Sequence, residues 1–165
     1  MAEPIENLLN RAIKITEGIY HRLILLVGES GSGKTSTLNN LSNKLGIEIL
    51  NLNLLLSKQL LEMTPKQRSL QLPKLLDQII REAGKIVILD NIEILFDTSL
   101  KQDPLKLLQK ISRNKTIISS WSGKQDRANL LYAEPGHPEY RNYNISDFLT
   151  ISMDGTNNFD PSNKL

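Results

Sequence analysis

Leu23–Asn40, LILLVGESGSGKTSTLNN, joins three local signals. Leu23 to Val27 is an unbroken apolar run stopped by a glycine, the pattern of a strand buried on both faces of a parallel sheet. Gly28-Glu29-Ser30-Gly31-Ser32-Gly33-Lys34-Thr35 then matches G-x-x-x-x-G-K-[ST] in full. From Lys34 the chain reads as a helix, ended by Gly46 in the left-handed position beyond the last turn. Glycines let successive backbone N–H groups curl round an anion, and the helix adds the positive end of its dipole. Chance yields this pattern in roughly one chain of this length in 200, so a flexible Gly/Ser surface loop is the weaker reading.

The expected phosphate-binding set is therefore Gly28, Glu29, Ser30, Gly31, Ser32, Gly33, Lys34, Thr35 and Ser36. Lys34 is expected on the β- and γ-phosphates and the Thr35 hydroxyl on Mg²⁺, with ATP as the nucleotide. Lys85–Asn91, KIVILDN, supplies a second buried strand that delivers Asp90 at its carboxyl end. An acid there holds Mg²⁺ through water, and given the loop this outweighs its being a simple strand-ending aspartate. Many ATPases place a glutamate directly after that acid to polarise the attacking water. Here the position is Asn91, whose amide cannot take a proton as a base. Glu93 lies close by in DNIEILFD and is the substitute candidate, against the plainer expectation of a solvated surface residue.

The strand TIISS, Thr116–Ser120, ends in Ser119 and Ser120, either of which fits a γ-phosphate sensor, although serines at strand ends are common. Trp121 is expected to pack rather than stack on a base. Arg113, Arg127 and Arg141 are candidates for an arginine donated across a subunit contact, with Arg141 the best placed, just before the last strand. Each is individually more in keeping with a solvated surface residue.

Working outward, EPIENLLNRAIKI (Glu3–Ile15) reads as an amphipathic helix with Ile5, Leu8, Leu9, Ala12 and Ile13 on one face, and IEILNLN (Ile47–Asn53) as a short strand. The leucine-rich segment from Leu54 to Met63 reads as helix. Thr64-Pro65-Lys66-Gln67 is a capped helix start, with Pro73 expected to kink or break the helix before Gly84 closes it. Asp103-Pro104 opens a further helix. Lys124–Ala133 is either a short helix or partly extended, Tyr132–Tyr140 (YAEPGHPEY) a docking loop or packed corner, and Ile145–Met153 a fifth strand.

Strands alternating with helices imply an α/β fold: a three-layer P-loop NTPase domain with a mainly parallel five-stranded sheet, of the additional-strand, AAA+-like type without a helical lid. Residues 1–153 are expected to form this single domain, and 154–165 a disordered polar tail.

The 165 residues carry no cysteine, which excludes disulfides and thiolate chemistry; the two histidines, His21 and His137, lack ligand spacing. Net charge is +2, with basic residues spread along the chain, so no DNA-binding face is indicated. The acidic start MAEPIENLLN lacks the features of a signal peptide and no membrane span is seen, so a cytoplasmic protein is expected. A GTPase would carry N-K-x-D; Gly123-Lys124-Gln125-Asp126 approaches it but lacks the asparagine. A small-molecule kinase would need an arginine-rich lid for which no insert exists. A nucleotide-dependent scaffold is favoured by Asn91 over a fast motor.

LILLVGESGSGKT, IVILDNIEILF, SSWSGK and YAEPGHPEY together resemble the BrxF family, small P-loop proteins of type 3 BREX phage-defence systems in bacteria. The similarity runs from the first helix to about Met153, and the last two segments are its specific part. The resemblance implies ATP binding and partners among the other proteins of a defence complex. Homo-oligomerisation is a further expectation.

Overall fold

The structure, a computed structural model, describes residues 3–160. Helix α1 (Ile5–Thr16) leads into β1 (Leu23–Gly28), the glycine loop and α2 (Lys34–Leu45). Then come β2 (Ile49–Asn51), α3 (Leu52–Leu60), α4 (Pro65–Arg81) and β3 (Ile86–Asp90). Two 3₁₀ turns, Glu93–Phe96 and Thr98–Leu100, precede α5 (Pro104–Ile111) and β4 (Thr116–Asp126). Strands β5 (Asn129–Tyr132), β6 (Arg141–Asn144) and β7 (Leu149–Ser152) follow.

Five strands run parallel in the order β2-β3-β4-β1-β7. Strand β4 thus lies between β1, which carries the loop, and β3, which carries Asp90. This is the additional-strand α/β architecture. Alternation sorts the central strands between two layers: Leu23, Leu25, Val27 and Ile117 join the core under α3, α4 and α5, whereas Ile24, Leu26 and Ile118 join the core under α1 and α2. Burial on both faces explains why β1 reads as a continuous apolar run.

Helix α4 begins with the expected Thr64–Gln67 capping box. It also continues through Pro73 without a break. Proline removes the N–H that would bond the carbonyl four residues back. That carbonyl, on Ser69, instead accepts the Gln102 side-chain amide at 2.8 Å. Asp103 caps α5 through the Lys106 N–H at 3.2 Å.

The fourth strand does not stop at Ser120. It continues to Asp126 and turns at residues 127–128, so Lys124–Ala133 is extended rather than helical. Strand β5 pairs antiparallel with this outer half of β4, and β6 pairs antiparallel with β5. YAEPGHPEY is the turn between them, with residues 134–138 exposed.

The tail expectation is corrected for 154–160; residues 161–165 lie outside the described residues. Asn157 is buried and bridges to Ile151. Asn158 accepts from the Thr150 N–H at 2.9 Å and donates to the Phe148 carbonyl at 2.8 Å. Polar side chains here serve as the hydrogen-bonding partner of an edge strand, which composition alone reads as a solvated tail. Among the described residues, no helix is long and apolar enough to cross a membrane.

Candidate functional site

The site forms where β1, β3 and β4 end. Gly31 and Gly33 have φ of +82° and +96°, a region side chains rarely adopt, which lets the loop fold back over the start of α2. Gly33 occupies the N-cap of α2 and offers no side-chain cap, so the first N–H groups of that helix are left for an anion.

Lys34 is 7% exposed, and its ammonium donates to the carbonyls of Gly28 and Glu29 at 2.7 and 2.8 Å. Burial pulls its pKa below the ordinary lysine value, while Glu93 foremost, then Asp90 and Glu29, favour the charged form. The Thr35 hydroxyl donates to Asp90 Oδ2 at 2.8 Å. Asp90, buried at the end of β3, also accepts the Asn91 N–H at 2.9 Å through Oδ1.

These groups border a cavity of about 320 Å³. Ser30, Gly31, Gly33 and the first residues of α2, Lys34 to Ser36, form one wall; Asp90, Asn91, Glu93 and Ser122 form the other. Gly28, Glu29 and Ser32 line a neighbouring hollow on the β7 side of the loop. Of the expected set, Ser30, Gly31, Gly33, Lys34, Thr35 and Ser36 therefore converge with Asp90.

Glu93 is not a solvated surface residue. It is half-buried, lines the cavity, and accepts from the Ser122 hydroxyl at 3.3 Å. Ser119 and Ser120 do not line this cavity. Both are buried within the sheet, and the Ser119 hydroxyl donates to the Ser120 carbonyl at 3.0 Å. The register explains the shift: β4 pairs Ser122, not Ser120, with Gly28 at the end of β1. Counting onward from a strand that ends level with the loop would have found Ser122; reading the strand as ending at Ser120 missed it.

Arg141 lies on β6, where its guanidinium donates to the Gln102 carbonyl at 3.0 Å, and it does not line the cavity. Arg113 sits 4.8 Å over the Tyr20 ring, and Arg127 is exposed at the β4–β5 turn. Trp121 packs as expected: it is fully buried and its indole N–H donates to the Leu131 carbonyl at 3.0 Å.

Among the described residues there is no group of three or more His, Cys, Asp or Glu side chains placed to hold a metal. A magnesium ion needs no such cage, since it keeps most of its waters and binds one or two protein oxygens plus phosphate. The Thr35–Asp90 pair, beside the loop, fits that requirement.

The model of the ATPase family associated with various cellular activities (AAA) matches residues 24–129. Among solved structures, C. elegans PCH-2 is similar at 20% identity and a TM-score of 0.43, over 70% of this chain and 36% of that one. AMPPCP-bound DnaA from Aquifex aeolicus is similar at 13% identity and a TM-score of 0.46, over 93% of this chain and 48% of that one. The chain thus spans less than half the length of either. No curated protein matches the sequence.

Proposed function

From the premise that this chain belongs to the ATPase family associated with various cellular activities (AAA), we propose that it binds Mg·ATP and hydrolyses it slowly or only with a partner's help. One observation carries this reading: the uncapped start of α2 and the Lys34 ammonium border the same cavity as the Thr35–Asp90 pair. The loop backbone would cradle the phosphates. Lys34 would leave the Gly28 and Glu29 carbonyls to neutralise β/γ charge. Thr35 would hold Mg²⁺ directly and Asp90 through water; the ion, when bound, offsets charge on the phosphate oxygens.

Slow turnover is supported by Asn91, which stands where a catalytic glutamate is usual. The same residue favours a second reading, a nucleotide-regulated scaffold without hydrolysis. The resemblance to the BrxF family supports a role as a component of a bacterial phage-defence complex in the cytoplasm, with other proteins of that system as partners. A GTPase or a small-molecule kinase has less support: Gly123–Asp126, the segment nearest a guanine motif, is continuous β4.

Lys34→Ala is expected to weaken Mg·ATP binding by about 10- to 100-fold in titration calorimetry, the worth of one charge-assisted contact. Unchanged affinity refutes the nucleotide reading.

A further inference from the structure

The residue after Asp90 turns the chain in an unusual way. Asn91 has φ +52° in the left-handed region, and its carbonyl accepts the Asn53 N–H at 2.9 Å. Ile92 then enters the core at 1% exposure, and Glu93 opens the 3₁₀ turn at the cavity wall. The turn is held at both ends. Asn53 Oδ1 accepts the Ile94 N–H at 2.8 Å. Phe96 stacks on Tyr132 at 3.5 Å and 9° and meets Trp121 edge-on at 5.2 Å.

The Glu93 carboxylate is therefore presented by rigid elements. Its Oε1 accepts from Ser122, while Oε2 is buried with no hydrogen-bond partner among the described residues. Buried polar atoms are nearly always paired, and one that is not calls for a specific explanation, such as a ligand, a water or a catalytic role. Glu93 lines the same cavity as Lys34, Thr35 and Asp90.

We propose that Glu93 is the general base of this site, positioned by the Ser122 hydroxyl, and that it takes the place of the glutamate usual at position 91. The proposal rests on the cavity being an Mg·ATP site. Water oxygen bonds to the γ-phosphorus as its proton passes to the Glu93 carboxylate. The bond from that phosphorus to the β,γ-bridging oxygen breaks, and ADP leaves with the electron pair. Glu93 then releases the proton to solvent. Glu93 is a catalytic residue in this scheme; Ser122 acts through it and is a positioning residue.

The test uses the full chain, with binding and chemistry read separately. Calorimetry with Mg²⁺ and the β,γ-methylene analogue of ATP gives affinity; phosphate release at saturating ATP gives turnover. Glu93→Gln should lower turnover about 100-fold or more, as loss of a general base does, with affinity changed less than about threefold. Ser122→Ala should lower kcat about fivefold at unchanged KM, with Ser122→Thr restoring it. Glu93→Gln turnover within about twofold of the unsubstituted chain overturns the proposal. So does a turnover loss matched by a loss of affinity, which would make Glu93 only a charge partner of Lys34. Binding without any turnover in the unsubstituted chain overturns this proposal alone; absence of binding overturns the Mg·ATP reading as well.

Discussion

Asn91 has two readings, and backbone geometry decides which one explains its identity. By chemistry it is a lost base; by conformation it is a residue suited to φ +52°, where asparagine is among the few side chains tolerated. A left-handed residue with a Cβ costs about 1 kcal/mol or more relative to one adapted to it. Asn91→Ala should therefore lower the unfolding free energy by about 1 kcal/mol, and Asn91→Gly by distinctly less, in urea denaturation. Equal losses would mean that the left-handed turn does not select asparagine. The sequence makes the missing glutamate plain, but the sign of φ leaves no periodic trace, so the turn that brings Glu93 inward was not legible. Phosphate-loop positions Lys34 and Thr35 were legible, because a fixed motif encodes their backbone as well as their chemistry.

Among the elements, the outer half of β4 is the least expected and the most constrained. A Cβ on Gly123 would lie 1.9 Å from the Leu131 carbonyl oxygen and 3.0 Å from the Trp121 indole nitrogen. The close approach lets Trp121 donate to that same carbonyl and brings Tyr132 under Phe96. Gly123→Ala should destabilise the fold by about 1–3 kcal/mol through overpacking. Trp121 is the only tryptophan, so its fluorescence in the folded state should shift as well. A variant with wild-type denaturation midpoint and fluorescence would show that the hairpin can slide off the indole without cost. Sequence patterning located the first half of β4 because the β-branched run Thr116–Ile118 marks it. The second half, SGKQD, is polar and glycine-broken, and β6, RNYN, which pairs with β5, has only Tyr143 to mark a face. Both exist through pairing with β5, a tertiary fact that local pattern does not carry.

For the whole molecule, strand alternation and the motif at the end of β1 were enough to predict a parallel sheet with the site at its carboxyl edge, since two-sided burial writes itself as apolar runs. What the site contains as an ensemble of charges emerged only from the assembled fold. Among the described residues, Lys34 is the sole cation lining the cavity, facing Asp90 and Glu93. Phosphoryl transfer places growing negative charge on the bridging and terminal oxygens, and a second protein cation there is worth roughly 10³- to 10⁵-fold in rate. Arg141 cannot supply it in place, because its guanidinium is committed to the Gln102 carbonyl. A single copy should then turn over ATP at less than about 1 per second, below the usual enzymatic range. If the missing cation comes from another copy, the rate per chain climbs as concentration drives association, in step with native mass. Phosphate release measured across a hundredfold dilution series checks both parts. A rate that is fast, or flat while the mass changes, would mean that the lysine and the bound ion suffice within one chain.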